Sequence, residues 1–386
     1  MKSCKLQRLS FQTLKPPHMK PQITRFNSVL FSVLFFLSPL SMSAQNFARI
    51  DSLAVNAPIW TTRTEVDLSA YCDANAVGEL EKVRFYFVWI ARNIRYDEKA
   101  YGAYRQNLDY NIEKQSVPVV FSERVAVCRG YALLLERLCR QSHMAARYVA
   151  GYGKAQLNDE RLEPHAWNAI RIEGNWELFD ATWASNSLQR DSSDLSVNFE
   201  KWFMTTPVQF ARQHWSYDPI FQFTDELTSR AEFLGDTEGS PPPSLGFDIV
   251  TTLNMENTLD SLESAWRSYN RAHLFSPTDS VVGQKLARLQ DEKAKNTLSP
   301  IETFARKDLM RLSELTIEEL KSWLDRLEKV RGPAAETLLL HAEIDDLPLR
   351  ETDILLVQKN RRRLIALAQF LPRGVMFLEE ELNRRK

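Results

Sequence analysis

Residues 127–138, with the sequence VCRGYALLLERL, place a cysteine at the start of an apolar helix. A thiol at this position feels the unpaired backbone N–H groups and the positive end of the helix dipole, and both favour the thiolate. The thiolate is the nucleophilic form of cysteine, and it needs a neighbouring base to take up and return protons. Cys128 is therefore the first candidate catalytic residue, and its base has to come from elsewhere in the chain.

A predicted β-hairpin supplies a histidine and an aspartate. His165 and Asp180 lie in two strand-like runs on either side of a short turn. A turn centred on Glu173-Gly174 makes them diagonal neighbours, about 7–8 Å apart at the backbone. A turn centred one residue later separates them by about 13 Å. The first register predicts that Asp180 holds the ring of His165, whose other nitrogen faces Cys128.

Several segments resemble a known family, the transglutaminase-like superfamily, which shares the papain-like fold. They are FVWIARNIRYD (87–97), VCRGYA (127–132), GY (151–152), HAWN (165–168) and LFDATW (178–183). A later segment, KWFMTTPVQFARQHWSYDP (201–219), is similar to the kyphoscoliosis-peptidase-like branch of that family. The resemblance covers roughly residues 60–225.

This resemblance implies a fold and a set of roles. The fold is α+β, with a papain-like core in which the helix carrying the cysteine packs on an antiparallel sheet. The implied roles are nucleophile for Cys128, general base and acid for His165, and orienting carboxylate for Asp180.

The oxyanion donors are less defined by the sequence. The backbone N–H of Cys128 is one donor, because it lies at the start of a helix. A second donor has to come from upstream, and the loop 98–127 offers four candidates, among which the sequence does not choose: Tyr101, Tyr104, Gln106 and Gln115.

The other cysteines and histidines have structural interpretations. Cys139 is predicted to be a small core residue, and Cys72 is free to pair with it. A bridge between Cys128 and Cys139 is excluded, because eleven helical residues rise about 16 Å. His143 and His214 are predicted to be structural or surface residues. The chain has no close-spaced second ligand pair typical of zinc sites and no clustered Asp/Asn loop, so we expect no metal and no cofactor.

The first 44 residues read as a secretory signal peptide. They carry six basic residues and no acidic ones, followed by the apolar run SVLFSVLFFL (28–37) and then by small residues. The apolar run is shorter than the about 20 residues that span a bilayer. We expect an exported protein, secreted or periplasmic, with no stable membrane span after signal removal; an uncleaved anchor is the alternative.

The composition changes at DTEGSPPPSLG (236–246), where three consecutive prolines make a stiff connector. We therefore predict a transglutaminase-like domain at 45–235, a Pro-rich linker at 236–254 and a helical domain at 255–386. The role of the helical domain is open, and binding of a protein partner is one hypothesis.

Two capping signals start helices in that last region. They are Ser299-Pro300-Ile301-Glu302 and Thr316-Ile317-Glu318-Glu319.

The charge balance and the candidate residues together suggest an acyl-transfer enzyme. Six of the 49 basic residues lie in the first 44 positions, so 43 face 50 acidic residues in the remainder, the opposite of a nucleic-acid-binding protein. A thiolate with a histidine base forms an acyl-enzyme. With water as acceptor the enzyme is a peptidase or amidase acting on peptide or isopeptide bonds, including cell-wall peptides, and this is our first expectation. The alternatives are a crosslinking transglutaminase and a non-catalytic peptide-binding module.

Overall fold

The computed structural model describes residues 47–105, 112–156, 161–190, 197–224, 226–236, 248–329 and 351–385. The predicted signal peptide, the candidate Gln106 and residues 237–247 of the predicted linker lie outside these residues.

Three helices begin the described chain: α1 (Ala48–Val55), α2 (Glu65–Asn75) and α3 (Gly78–Asn93). Thr64 caps α2, because its hydroxyl oxygen accepts a hydrogen bond from the backbone N–H of Asp67 at 3.1 Å. The second half of α3 is almost entirely buried and forms the centre of the main core.

The helix that carries Cys128 follows a short connection with two helices and one parallel strand pair. The elements are β1 (Arg95–Tyr96), α4 (Glu98–Arg105), α5 (Val117–Glu123), β2 (Val125–Ala126) and α6 (Cys128–Gln141), and β1 pairs with β2. Cys128 is the first residue of α6, as the sequence predicted.

A four-stranded antiparallel sheet supports α6. Its strands are β3 (Ala146–Gly153), β4 (Glu163–Ile172), β5 (Asn175–Phe179) and β6 (His214–Ser216), in the spatial order β5-β4-β3-β6. α6 packs on β3 and β4, and the side-chain amide of Asn168 on β4 donates to the carbonyl of Ala132 on α6 at 2.9 Å. The predicted α+β fold, with the cysteine helix on an antiparallel sheet, is confirmed.

The other described elements are helices. Four short ones lie before and after β6 in the chain: α7 (Ala181–Arg190), α8 (Val197–Glu200), α9 (Pro207–Phe210) and α10 (Arg230–Phe233). They are followed by α11 (Ile249–Glu256), α12 (Ser261–Phe275), α13 (Ser280–Thr303), α14 (317–329) and α15 (Glu351–Arg384). After β6, all the regular elements that the structure describes are helices. This agrees with the all-α region predicted at 255–386. Among the described helices, none combines the length and apolar character that crossing a membrane requires.

One of the two predicted capping signals is confirmed and the other is wrong. At Thr316 the hydroxyl accepts from the backbone N–H of Glu319 at 3.1 Å, and the Glu319 carboxylate accepts from the backbone N–H of Thr316 at 2.7 Å. At Ser299 no helix begins, because α13 continues through Pro300 to Thr303.

Side chains from both sides of the predicted linker share buried contacts. Arg271 on α12 donates to the carboxylate of Asp218 at 2.7 Å, and the hydroxyl of Tyr152 on β3 donates to Asp279 at 2.9 Å. Leu253 on α11 is buried in the main core. Side-chain contacts therefore cross the connector, and α11 begins inside the range predicted as a linker. The domain boundary itself stays a prediction.

Candidate active site

The hairpin register brings His165 and Asp180 together. Ile172 pairs with Asn175 and Asn168 with Phe179, so the turn is centred on Glu173 and Gly174, whose φ angles are 50° and 94°. Asp180 follows β5 directly, and the Nε2–H of His165 donates to Asp180 Oδ2 at 2.7 Å. The first of the two predicted registers is confirmed.

The start of α6 is held by residues that precede it in the chain. The side-chain oxygen of Gln115 accepts from the backbone N–H of Val127 at 3.0 Å. A Cβ on Gly130 would lie 2.7 Å from that same oxygen and 2.7 Å from the Cβ of Ala126. Glycine is therefore required two residues after Cys128, because any side chain would push α6 away from its support.

The thiol of Cys128 is half-buried and lies close enough to the ring of His165 to raise the pKa of that ring. Nε2 of that ring is used by Asp180, so Nδ1 is the nitrogen left for the thiol. The structure thus brings together Cys128, His165 and Asp180, the three residues chosen from the sequence.

The charges of this cluster support one another. Burial lowers the pKa of His165, but the charge and hydrogen bond of Asp180, with a further contribution from Cys128, raise it to about 10. Burial raises the pKa of Asp180, but the charge and hydrogen bond of His165 and the hydrogen bond from His214 hold it well below its usual range. At neutral pH the pair is an imidazolium next to a carboxylate.

His214 is the residue that the sequence reasoning missed. Of the two predicted positions, structural or surface, it has the structural one: it is buried, and its Nε2–H donates to Asp180 Oδ2 at 3.0 Å, a contact that the sequence did not indicate. The aromatic residues around it in the sequence indicated burial, but no sequence signal paired β6 with the edge of β3.

Aromatic rings enclose both imidazoles. The ring of Trp183 stacks on His165 with a centroid distance of 4.8 Å and an interplanar angle of 19°. Phe210 stacks on His214 at 3.8 Å and 20°. These apolar faces keep water away from Asp180, which strengthens its hydrogen bonds.

The other candidate oxyanion donors have different surroundings. The side-chain oxygen of Gln115 accepts from Val127, so the group of Gln115 that can donate is its NH2, and the hydroxyl of Tyr101 donates to Glu163 at 2.7 Å. Tyr104 is close enough for the charge of Cys128 to raise its pKa, after the larger effect of burial.

The two other thiols are structural. Cys72 and Cys139 are free and fully buried, so the alternative of a bridge between them is not realised. Burial raises the pKa of Cys72 to about 12 and that of Cys139 well above its ordinary value.

The His165, Asp180 and His214 side chains offer three ligand atoms within 4.8 Å of one another. A cation bound there would have to replace both hydrogen bonds to Asp180. The donor set therefore fits a hydrogen-bonded cluster better than a metal site.

Comparison with known proteins identifies this region. Residues 66–181 match the model of the transglutaminase-like superfamily, and they contain Cys128, His165 and Asp180. The kyphoscoliosis peptidases of Mus musculus and Homo sapiens are each 28% identical over 240 residues, and the match covers 58% of this chain. It covers 35% of each relative, so the chain spans about a third of the length of the curated relatives it matches. A solved crystal structure of a TGase matches with a TM-score of 0.28 and 19% identity, over 44% of this chain and 40% of that one. Over residues 66–181 the chain is therefore similar to the transglutaminase-like superfamily.

Proposed function

We propose that the protein is a cysteine acyl-transfer enzyme that hydrolyses peptide or isopeptide bonds through an acyl-enzyme on Cys128. The observation that carries this proposal is the cluster of a half-buried thiol beside an imidazole that is hydrogen-bonded to a buried carboxylate. This is the arrangement that activates a thiol nucleophile, since the carboxylate orients the ring and supports its positive charge.

Acylation uses the thiolate and the imidazolium. The sulfur of Cys128 attacks the carbonyl carbon of the amide, and the C=O electron pair moves onto oxygen, near the backbone N–H of Cys128 at the start of α6. His165 then gives its proton to the departing amine nitrogen as the C–N bond breaks. The product of this half-reaction is a thioester on Cys128 and a neutral imidazole.

Deacylation restores the starting state. His165 takes a proton from water as the water oxygen attacks the thioester carbon, and the C–S bond breaks. The acid product leaves, the thiolate re-forms, and His165 is again an imidazolium held by Asp180.

The choice of water as acceptor is supported by the name peptidase that the curated relatives carry. Predicted export would bring polypeptides and cell-wall peptides to Cys128, so these are the substrates to test first. A partner-binding role for the helices beyond residue 255 stays a prediction.

The test is mass spectrometry of the protein with candidate peptides, with and without a primary amine. We expect a covalent adduct on Cys128 that water clears, and no adduct in Cys128→Ala. A product that carries the amine would assign a transglutaminase instead. A reactive thiol that forms no adduct with any peptide would assign the peptide-binding module.

A further inference from the structure

We propose that His214 is a positioning residue: it holds the carboxylate of Asp180 in the orientation that in turn orients His165. This inference rests on the proposed function, because it adds a fourth residue to the same site. Its basis is that both imidazoles donate to the same oxygen, Asp180 Oδ2, at 2.7 Å from His165 and 3.0 Å from His214.

The carboxylate of Asp180 is fixed from two sides. Its Oδ1 accepts from the backbone N–H of Trp183 at 3.0 Å, in the first turn of α7. Among the residues that the structure describes, Oδ2 has His214 as its hydrogen-bond partner besides His165. Without His214, the carboxylate would be free to pivot about the hydrogen bond between Oδ1 and the Trp183 N–H. This rotation would move Oδ2 relative to the ring of His165.

His214 is itself held rigidly. Its ring stacks on that of Phe210 with a centroid distance of 3.8 Å, and the centroid of the Trp183 ring is 4.4 Å away. Its strand β6 pairs with β3, where His214 lies opposite Gly153. A Cβ on the neighbouring Gly151 would lie only 2.1 Å from the backbone of β6, so this close pairing depends on glycine.

The hydrogen bond to Asp180 requires one tautomer of His214. Burial lowers the pKa of His214 to about 4, so the ring is neutral at neutral pH. An ionised carboxylate only accepts hydrogen bonds, and the single ring proton must therefore be on Nε2. Nδ1 then carries a lone pair, and it has no hydrogen-bond partner among the described residues.

A small cavity next to the ring supports this tautomer. Nδ1 of His214, Nε1 of Trp167 and Oγ of Ser216 are buried, have no hydrogen-bond partner among the described residues, and belong to residues that line the same cavity. Its volume of about 10 Å³ admits the centre of one water molecule. A water in this cavity that accepted from Trp167 and donated to Nδ1 of His214 would keep the proton on Nε2.

The experiment compares His214→Phe with His214→Gln. Phenylalanine fills the aromatic site but cannot donate, whereas the glutamine amide can donate to Oδ2 from a similar position. His143→Gln is the matched control, because His143 is exposed. The first readout is the rate of Cys128 alkylation by iodoacetamide between pH 5 and 8, which reports the thiolate without any substrate. The groups that face His165 in this range are Asp180, His214 and Cys128.

For His214→Phe we expect alkylation at pH 6 to slow about tenfold, the effect of losing one hydrogen bond to a charged group. On any peptide that is turned over, kcat should fall by a similar factor while KM stays within about twofold. His214→Gln should keep most of both rates. Unchanged or faster alkylation in a folded His214→Phe protein would overturn the proposal, as would equal losses in both variants. If the alkylation rates are as expected but the unaltered protein turns over no peptide, the result counts against the proposed function and not against the role of His214.

A measurement on the unaltered protein covers the case in which His214→Phe does not fold. In a protein with ¹⁵N-labelled histidine, NMR should show His214 as the neutral Nε2–H tautomer at pH 7. The Nδ1–H tautomer or an imidazolium at that pH would overturn the proposal.

Discussion

The charge state of His165 is the residue property on which the proposed chemistry depends. Its pKa is raised to about 10, chiefly by Asp180 against the opposing effect of burial, so the ring keeps its proton through neutral pH. We expect peptide turnover to remain high up to about pH 9 and to fall as His165 loses the proton that it gives to the leaving amine, near pH 10. Asp180→Asn should move this fall to lower pH and reduce turnover by about a thousandfold. A pH–rate profile that is identical in Asp180→Asn and the unaltered protein would contradict the assignment.

His214 makes folding sensitive to acid. Its pKa is lowered to about 4 by burial, so the unfolded chain takes up this proton at higher pH than the folded protein does. Stability should therefore fall as pH drops from about 7 to 4, with a contribution from this residue of about 3 kcal/mol. Denaturant unfolding at several pH values should show a smaller acid loss in His214→Gln. An equal loss in both proteins would show that other groups cause it.

The three cysteines that the structure describes, Cys72, Cys128 and Cys139, should differ sharply in their reactivity toward alkylating reagents. Cys128 is half-buried next to His165, whereas Cys72 and Cys139 are fully buried with raised pKa values. At neutral pH we expect one fast equivalent of iodoacetamide to label Cys128, with the other two at least about a hundredfold slower. Peptide mapping identifies the labelled residue, and Cys128→Ala should lack the fast phase. Equal, slow labelling of all three would contradict an activated thiol.

Three of the four residues in this cluster could be predicted from the sequence. Cys128, His165 and Asp180 lie in local patterns, a helix start and a hairpin, that restrict where their side chains can point. His214 could not be predicted in this role, because its contact with Asp180 depends on β6 pairing with β3, some 60 residues earlier in the chain. No local pattern encodes such a pairing.

The hairpin between β4 and β5 is the element that sets the site geometry. Glu173 and Gly174 have φ angles of 50° and 94°, as in a type I′ turn, where Asn-Gly is preferred. Glu173→Asn should therefore stabilise the protein by about 0.5 kcal/mol without changing Cys128 alkylation. Gly174→Ala is the control and should destabilise by about 1 kcal/mol, through φ alone, since no atom lies within 4 Å of its Cβ position. Urea unfolding measures both; destabilisation by Glu173→Asn would contradict the turn assignment.

Elements were predictable where the deciding signal is local. The hairpin register followed from the turn residues, and the Thr316 cap from the spacing of two side chains. The start predicted at Ser299 failed because the same residues fit inside a longer helix, where α13 packs against α12 and α15. A capping pattern shows that a helix can begin there, but not that the preceding helix has ended.

At the level of the whole molecule, the helices after the connector contact and stabilise the half that holds Cys128. Arg271 donates to the buried carboxylates of Asp218 and Glu256, and the buried Tyr152 donates to the buried Asp279. A fragment that ends at residue 236 leaves Asp218 without its partner and exposes the aromatic side chains beside β6. We expect it to unfold at a lower temperature than the full chain, or not to fold, because a buried charge without a partner costs about 3 kcal/mol or more.

Arg271→Met in the full chain is the matched variant for this prediction. It removes the same ion pair but leaves the helices in place, so it should lose only part of the stability that the fragment loses. A fragment that unfolds cooperatively at the temperature of the full chain would restore the view of two independent domains. The sequence could not exclude that view, because three prolines describe the connector but not what packs across it.

The contacts that cross the connector also affect what happens when the chain is cut. Cleavage between residues 237 and 247 leaves every described contact in place, so the two pieces should stay together as a non-covalent complex. Their association then becomes bimolecular, and dilution separates what the intact chain holds at high effective concentration. The helical piece would act as a detachable subunit, and adding it back in excess should restore function to the diluted piece. Proteolysis at this one segment would thus make activity depend on concentration without removing a single atom from the site.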